Sequence, residues 1–130
     1  MAIELVPLQV AAVRPQYGIC LWSKDDRVPV QDFLLDMQSE DLAKFTALME
    51  RVVQSGLPRN DERYKKLKGY DNLHELKVKP FRFFFFIESR AGQQLIVLVD
   101  VYKKDANSTS RVVLERANRR KDEYYQEKGV

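Results

Sequence analysis

Residues 81–87 read Phe-Arg-Phe-Phe-Phe-Phe-Ile, and this stretch restricts the folds open to the chain. Successive side chains of a β-strand point to opposite faces. Phe83, Phe85 and Ile87 therefore share one side, and Arg82, Phe84 and Phe86 the other. The run is far too short to span a bilayer, so no membrane role is expected. A strand apolar on both faces is either covered twice or meets a ligand on its second face. Phe83 and Phe85 are expected beneath a pair of helices. Phe84 and Phe86 are expected beneath a C-terminal helix, with a groove for nucleic-acid bases as the alternative.

The flanking segments say what could do the covering. Leu73–Lys79 alternates, with His74, Leu76 and Val78 on one face and Glu75, Lys77 and Lys79 on the other. Pro80 then forces a turn or bulge. Ser-Arg-Ala-Gly-Gln-Gln supplies a turn after residue 88, and residues 95–102 form a strand that is apolar on both faces apart from Asp100. Upstream, residues 17–24 read as a first strand and 61–72 as a basic loop. The first 16 residues are an edge strand or an arm, because Pro7 and Pro15 exclude a central strand.

Pro29 suits a first helical turn, and Phe33, Leu34 and Met37 continue at helical spacing to about Gln38. Ser39 is the expected N-cap of a second helix, whose stripe is Leu42, Phe45, Met49, Val52 and Val53. Gly56 and Pro58 end it. A last helix is expected from about Thr109 to Glu127, with Val113, Ala117 and Tyr124 on its apolar stripe. The fold class is thus α+β: an antiparallel β-sheet meander packed by an N-terminal helix hairpin, with a C-terminal helix. A length of 130 residues suits one domain spanning 1–130.

Charge is divided unevenly. Residues 1–62 carry 6 Lys/Arg against 10 Asp/Glu, and residues 63–130 carry 16 against 9. A basic C-terminal half points to a polyanionic partner. No secretory signal is legible at the N-terminus, and the single Cys20 cannot form an internal disulfide, so a reducing cytoplasmic setting is expected. One Cys and one His fall short of the ligands zinc requires, and no metal or cofactor is expected.

Alternation gathers the cations. Lys77, Lys79 and Arg82 fall on the face away from the helix hairpin, provided Pro80 does not flip the register. Tyr102 and Lys104 reach the same face from the third strand, whereas Lys103 alternates away. Arg116, Arg119 and Arg120 add charge from the last helix. Cations among aromatics suit phosphate binding and base stacking, with Phe84 and Tyr102 as the stacking candidates. For RNA cleavage, Arg82 would hold the phosphate in a bidentate pair. Lys77 or Lys79, crowded by other cations, would be the base, and Lys104 would stabilise the phosphorane or the leaving group. His74 lies on the core face and reads as structural, with Glu75 and Asp100 as orienting or ion-pairing groups.

The motifs Leu73-His-Glu-Leu-Lys77, Pro80-Phe-Arg-Phe-Phe84 and the Lys103–Lys104 pair after the third strand occur in the order seen in the RelE/ParE toxin superfamily. The chain resembles that superfamily in its HigB-like, phage-derived branch over about residues 17–126. The resemblance implies a RelE-like fold and the toxin of a type II toxin–antitoxin pair, a ribosome-dependent, metal-independent mRNA endonuclease that inhibits translation. It also implies a helix-turn-helix antitoxin as protein partner, with the ribosome and mRNA as targets. Lys77, Lys79, Arg82 and Lys104 match basic residues of the superfamily's active face. Two alternatives accompany this reading. One is a ParE-like, non-catalytic inhibitor of DNA gyrase; the other is a degenerate phage-derived protein that binds RNA or a partner without activity.

Overall fold

Six strands form a single sheet in a computed structural model that describes residues 2–10, 15–104 and 111–129. In chain order the elements are β1 (Ile3–Leu8), β2 (Tyr17–Lys24), α1 (Pro29–Leu35), α2 (Ser39–Ser55), β3 (Tyr64–Lys66), β4 (His74–Val78), β5 (Phe81–Arg90), β6 (Gln93–Lys103) and α3 (Arg111–Glu127). The expected start of the last helix, Thr109, lies outside the described residues. Across the sheet the order is β1-β2-β6-β5-β4-β3.

The α+β class holds, and β4, β5 and β6 form the expected antiparallel meander. Three features correct the sequence reading. The helix hairpin is not N-terminal, because two strands precede it. The sheet is mixed: β2 runs parallel to β6, with the hairpin and β3–β5 in the connection between them. Such a parallel pair needs a long crossover, and the two helices and three strands provide it. Within the expected basic loop, Tyr64–Lys66 adds a short edge strand on β4.

The first residues form an edge strand on β2, with Pro7 opposite Cys20. Proline is tolerated there because an edge residue leaves one backbone side unpaired. The Glu127 carboxylate accepts a 2.8 Å bond from the Ile3 N–H, and Lys24 pairs with Glu123 at 2.5 Å, so β1 and β2 are tied to α3.

The helices begin and end close to the punctuating residues. α1 stops at Leu35, before Gln38, and Ser39 is the first residue of α2 rather than a side-chain cap. The buried stripe of α2 is Phe45, Leu48, Met49, Val52 and Val53, and Leu42 stays exposed. Gly56, at φ 87, closes α2 by donating its N–H to Val52 O.

Two cores sandwich the sheet. Phe83, Phe85, Leu76, Ile96 and Leu98 pack under α1 and α2, and Phe45 lies 4.8 Å from Phe83 between ring centroids. Phe84, Phe86, Val97 and Val99 pack under α3 through Ala117 and Tyr124. Helices therefore cover both faces of the phenylalanine strand. A β-bulge at Val99 shifts the register, so that Phe84 pairs with Asp100 while Phe85 pairs with Leu98. The extra residue places the consecutive Val99 and Asp100 side chains both toward α3.

Just before β4 begins, a side chain extends its pairing. Asn72 donates Nδ2 to Ile87 O at 2.8 Å and accepts from Ile87 N–H at 3.1 Å, imitating one residue of a ladder. Its φ of 52 is in the left-handed region that asparagine tolerates better than most residues.

Candidate nucleic-acid interface

The β4–β5 turn at Lys79–Pro80 keeps the register, so Lys77 faces Arg82 and Arg82 faces Tyr102. These three residues form a row across β4, β5 and β6 on the α3 side of the sheet. The next row is Glu75, Phe84 and Asp100. A basic row thus lies against a row that has an acid at each end. Lys79 sits in the turn, and Lys104 is held beside it by a 2.8 Å bond from its N–H to Pro80 O. Lys103 opposes Phe81 and so faces the hairpin side, as alternation requires.

Arg82 is the recessed member of the row. Its side chain is 14% exposed, and its Nε and Nη1 atoms are buried without a hydrogen-bond partner among the described residues. Glu75 Oε1 stands 3.8 Å from Nε, close enough for an ion pair but too far for a hydrogen bond. A buried donor without an acceptor costs about 1–3 kcal/mol, more if charged. The buried pair has no acceptor among the described residues, so the guanidinium can meet an anion only through the small part of its side chain that stays exposed.

Asp100 governs the other side of the site. Its carboxylate, in a residue only 2% exposed, accepts from Arg116 through two bonds of 2.5 and 2.7 Å and pairs with Arg120 at 3.0 Å. Arg120 also donates to Val99 O and lies 5.1 Å above the Trp22 ring. The Asp100 bond pushes the Arg116 pKa up, while burial pushes that of Arg120 down.

This changes the reading of several residues. Arg120 is a structural clamp between α3 and the sheet, not an exposed RNA contact. Phe84 is 1% exposed and stacked on Tyr102 at 5.8 Å, so it offers no face to a base. Tyr102 is half-buried beside it, Arg116 is engaged by Asp100, and Arg119 is exposed on α3.

His74 is structural, as its place on the core face implied. It stacks on Phe85, and its Nδ1 is 2.8 Å from the Tyr64 hydroxyl and its Nε2 is 3.1 Å from Asn72 Oδ1. Burial, with Lys66 and Lys121 nearby, lowers its pKa to about 4. Among the described residues, no group of three His, Cys, Asp or Glu side chains is placed to hold a metal ion.

Sequence reasoning missed a second group of cations. A cavity of about 390 Å³ lies between α2 and the edge of β4 beyond β3. Its walls carry Lys44, Arg51, Arg63, Lys77 and Lys79 against one acid, Glu62. The i, i+7 spacing of Lys44 and Arg51 on α2 was legible. That this face borders β4 was not.

The phage-derived Gp49-like protein family model (DUF891) matches residues 32–122, from α1 through most of α3. A comparison with curated proteins finds no match. The matched span holds the Arg82 row, the Asp100 clamp and the cationic cavity, and leaves β1 and β2 outside it. With seven-tenths of its residues under that match, the chain belongs to the Gp49-like phage-derived family, part of the RelE/ParE-like toxin superfamily.

Proposed function

We propose that this protein is a HigB-like toxin of a type II toxin–antitoxin pair, cutting mRNA on the ribosome in the cytoplasm, with a helix-turn-helix antitoxin as its partner. The observation that carries the reading is the recessed Arg82 guanidinium, with two unsatisfied nitrogens, in a row with Lys77 and Tyr102. The Gp49-like membership supports it.

In this reading Arg82 takes a non-bridging pair of phosphate oxygens. The RNA 2′-hydroxyl loses its proton and attacks phosphorus; the P–O5′ bond breaks, and the departing 5′-oxygen gains a proton. A 2′,3′-cyclic phosphate and a 5′-hydroxyl result. Lys77, whose Nζ donates to Asp61 O at 2.7 Å, is a fixed cation beside the phosphate. In this reading Lys79, exposed in the turn, takes the 2′ proton, and Lys104, across the turn, neutralises the phosphorane or protonates the leaving oxygen. Proton transfer by such groups contributes about 10²–10⁴-fold, and a fixed donor on the developing charge about 10²–10³-fold.

Expression of the wild-type chain should arrest growth and produce new mRNA 5′ ends in translated messages. Arg82→Ala with Lys104→Ala should relieve the arrest and lower cleavage by purified ribosome complexes at least 100-fold, with an unchanged circular dichroism spectrum. Full cleavage by a folded double variant would remove the assignment. Wild-type inhibition of gyrase supercoiling without RNA cleavage would replace it with the non-catalytic reading.

A further inference from the structure

The cavity between α2 and β4 is a built feature. Arg63 N and Tyr64 N both bond to Asn60 O, Lys77 N bonds to Arg63 O at 2.8 Å, and Lys77 Nζ bonds to Asp61 O. These bonds fix the 60–63 turn against the edge of β4. On the opposite wall Ala47 and Leu48 stand three and four residues after Lys44, and four and three before Arg51, so the four share one face of α2. The floor is apolar, made by Ala47, Leu48 and Val78, and the rim is cationic. Among the described residues none of Lys44, Arg51, Arg63, Lys77 and Lys79 forms an ion pair. Five cations against the single acid Glu62 leave the hollow with an excess of positive charge that an anion would relieve.

The cavity does not stand apart from the Arg82 row. Lys77 belongs to both, since it opposes Arg82 on the sheet and lines the cavity at the sheet's edge. A second hollow, sharing Arg51 and Arg63, extends the basic surface to Arg59. A hollow of about 390 Å³ has room for a nucleotide unit of a single strand. An apolar floor accepts a ribose or base while the rim takes the phosphate.

We infer that this groove is a second RNA-binding site, in which Lys44, Arg51 and Arg63 hold the backbone of a single strand that crosses Lys77 to reach Arg82. The inference rests on the RNA reading of the Arg82 row, but its test reads binding rather than cleavage. Neutralising phosphates releases counterions, and each contact to a single strand contributes about 0.7 to the slope of log affinity against log salt.

The experiment follows anisotropy of a 5′-fluorescein RNA 12-mer across a salt series, for the wild type, the triple variant Lys44→Gln/Arg51→Gln/Arg63→Gln and Arg82→Ala. All three groove residues are exposed, so the triple variant should keep the wild-type thermal midpoint. Its slope should fall by about 2, and Arg82→Ala should lower the slope by about 0.7 or less. In cleavage assays the triple variant should raise KM with kcat kept, whereas Arg82→Ala should lower kcat. A triple variant that matches the wild type in slope and affinity overturns the groove while leaving the Arg82 reading in place. RNA binding that depends on the groove, with no cleavage by the wild type, overturns the nuclease and leaves the groove. A wild type that binds no RNA overturns both.

Discussion

His74 is where the fold resists protonation. With its pKa lowered to about 4, the ring is neutral at pH 7, so Nε2–H donates to Asn72 Oδ1 and Nδ1 accepts from the Tyr64 hydroxyl. A proton on Nδ1 would set a donor against that hydroxyl and place charge near Lys66 and Lys121. Between pH 6.5 and 4 the unfolded chain therefore binds the extra proton and the folded chain does not. Stability is complete above pH 6.5 and falls with acid, by about 3 kcal/mol at pH 4. Urea unfolding at several pH values should show this decline for the wild type and a flatter one for His74→Gln. Identical profiles would show that the ring titrates normally. Its alternation with Leu76 and Val78 put His74 on the core face from sequence alone. Its two hydrogen bonds were not legible, because Tyr64 and Asn72 lie in a segment without periodicity.

At the scale of elements, the β5–β6 hairpin offers a direct test of local geometry. Its two turn residues, Ala91 and Gly92, have φ of 51 and 79, and Arg90 pairs with Gln93. Positive φ at both centres is the mark of a type I′ turn, whose twist matches that of the strands. Gly92 takes this conformation freely, whereas the Cβ of Ala91 opposes it by about 1 kcal/mol. Ala91→Gly should therefore raise the urea midpoint by the equivalent of about 1 kcal/mol, less whatever is lost to a more flexible unfolded chain. A lowered midpoint would contradict the turn geometry. Ser-Arg-Ala-Gly-Gln-Gln marked this turn in the sequence, just as Pro29 and Gly56 marked helix limits. The Val99 bulge left no such mark. In Leu95–Tyr102 nearly every residue is apolar, so no change of phase shows that Val99 and Asp100 face the same side.

The whole molecule is a sheet with two separate cores, and the four consecutive phenylalanines supply both. Phe83 and Phe85 lie under the helix hairpin; Phe84 and Phe86 lie under α3. Truncating one from each layer should cost similar amounts, so Phe83→Ala and Phe84→Ala should each lower unfolding free energy by about 3–5 kcal/mol in urea titrations. A loss below about 1 kcal/mol for Phe84→Ala would mean that α3 does not seal its face. Sequence alone determined that this strand is apolar on both faces, with Phe83 and Phe85 pointing one way and Phe84 and Phe86 the other, because side-chain direction follows from local period. Only the tertiary structure decided that β2 lies parallel to β6, that Asp100 holds Arg116 and Arg120, and that Lys44 and Arg51 meet Lys77 across a cavity. Periodicity specifies which way a side chain points. What stands opposite it depends on contacts between distant segments, whose free energy no local pattern records.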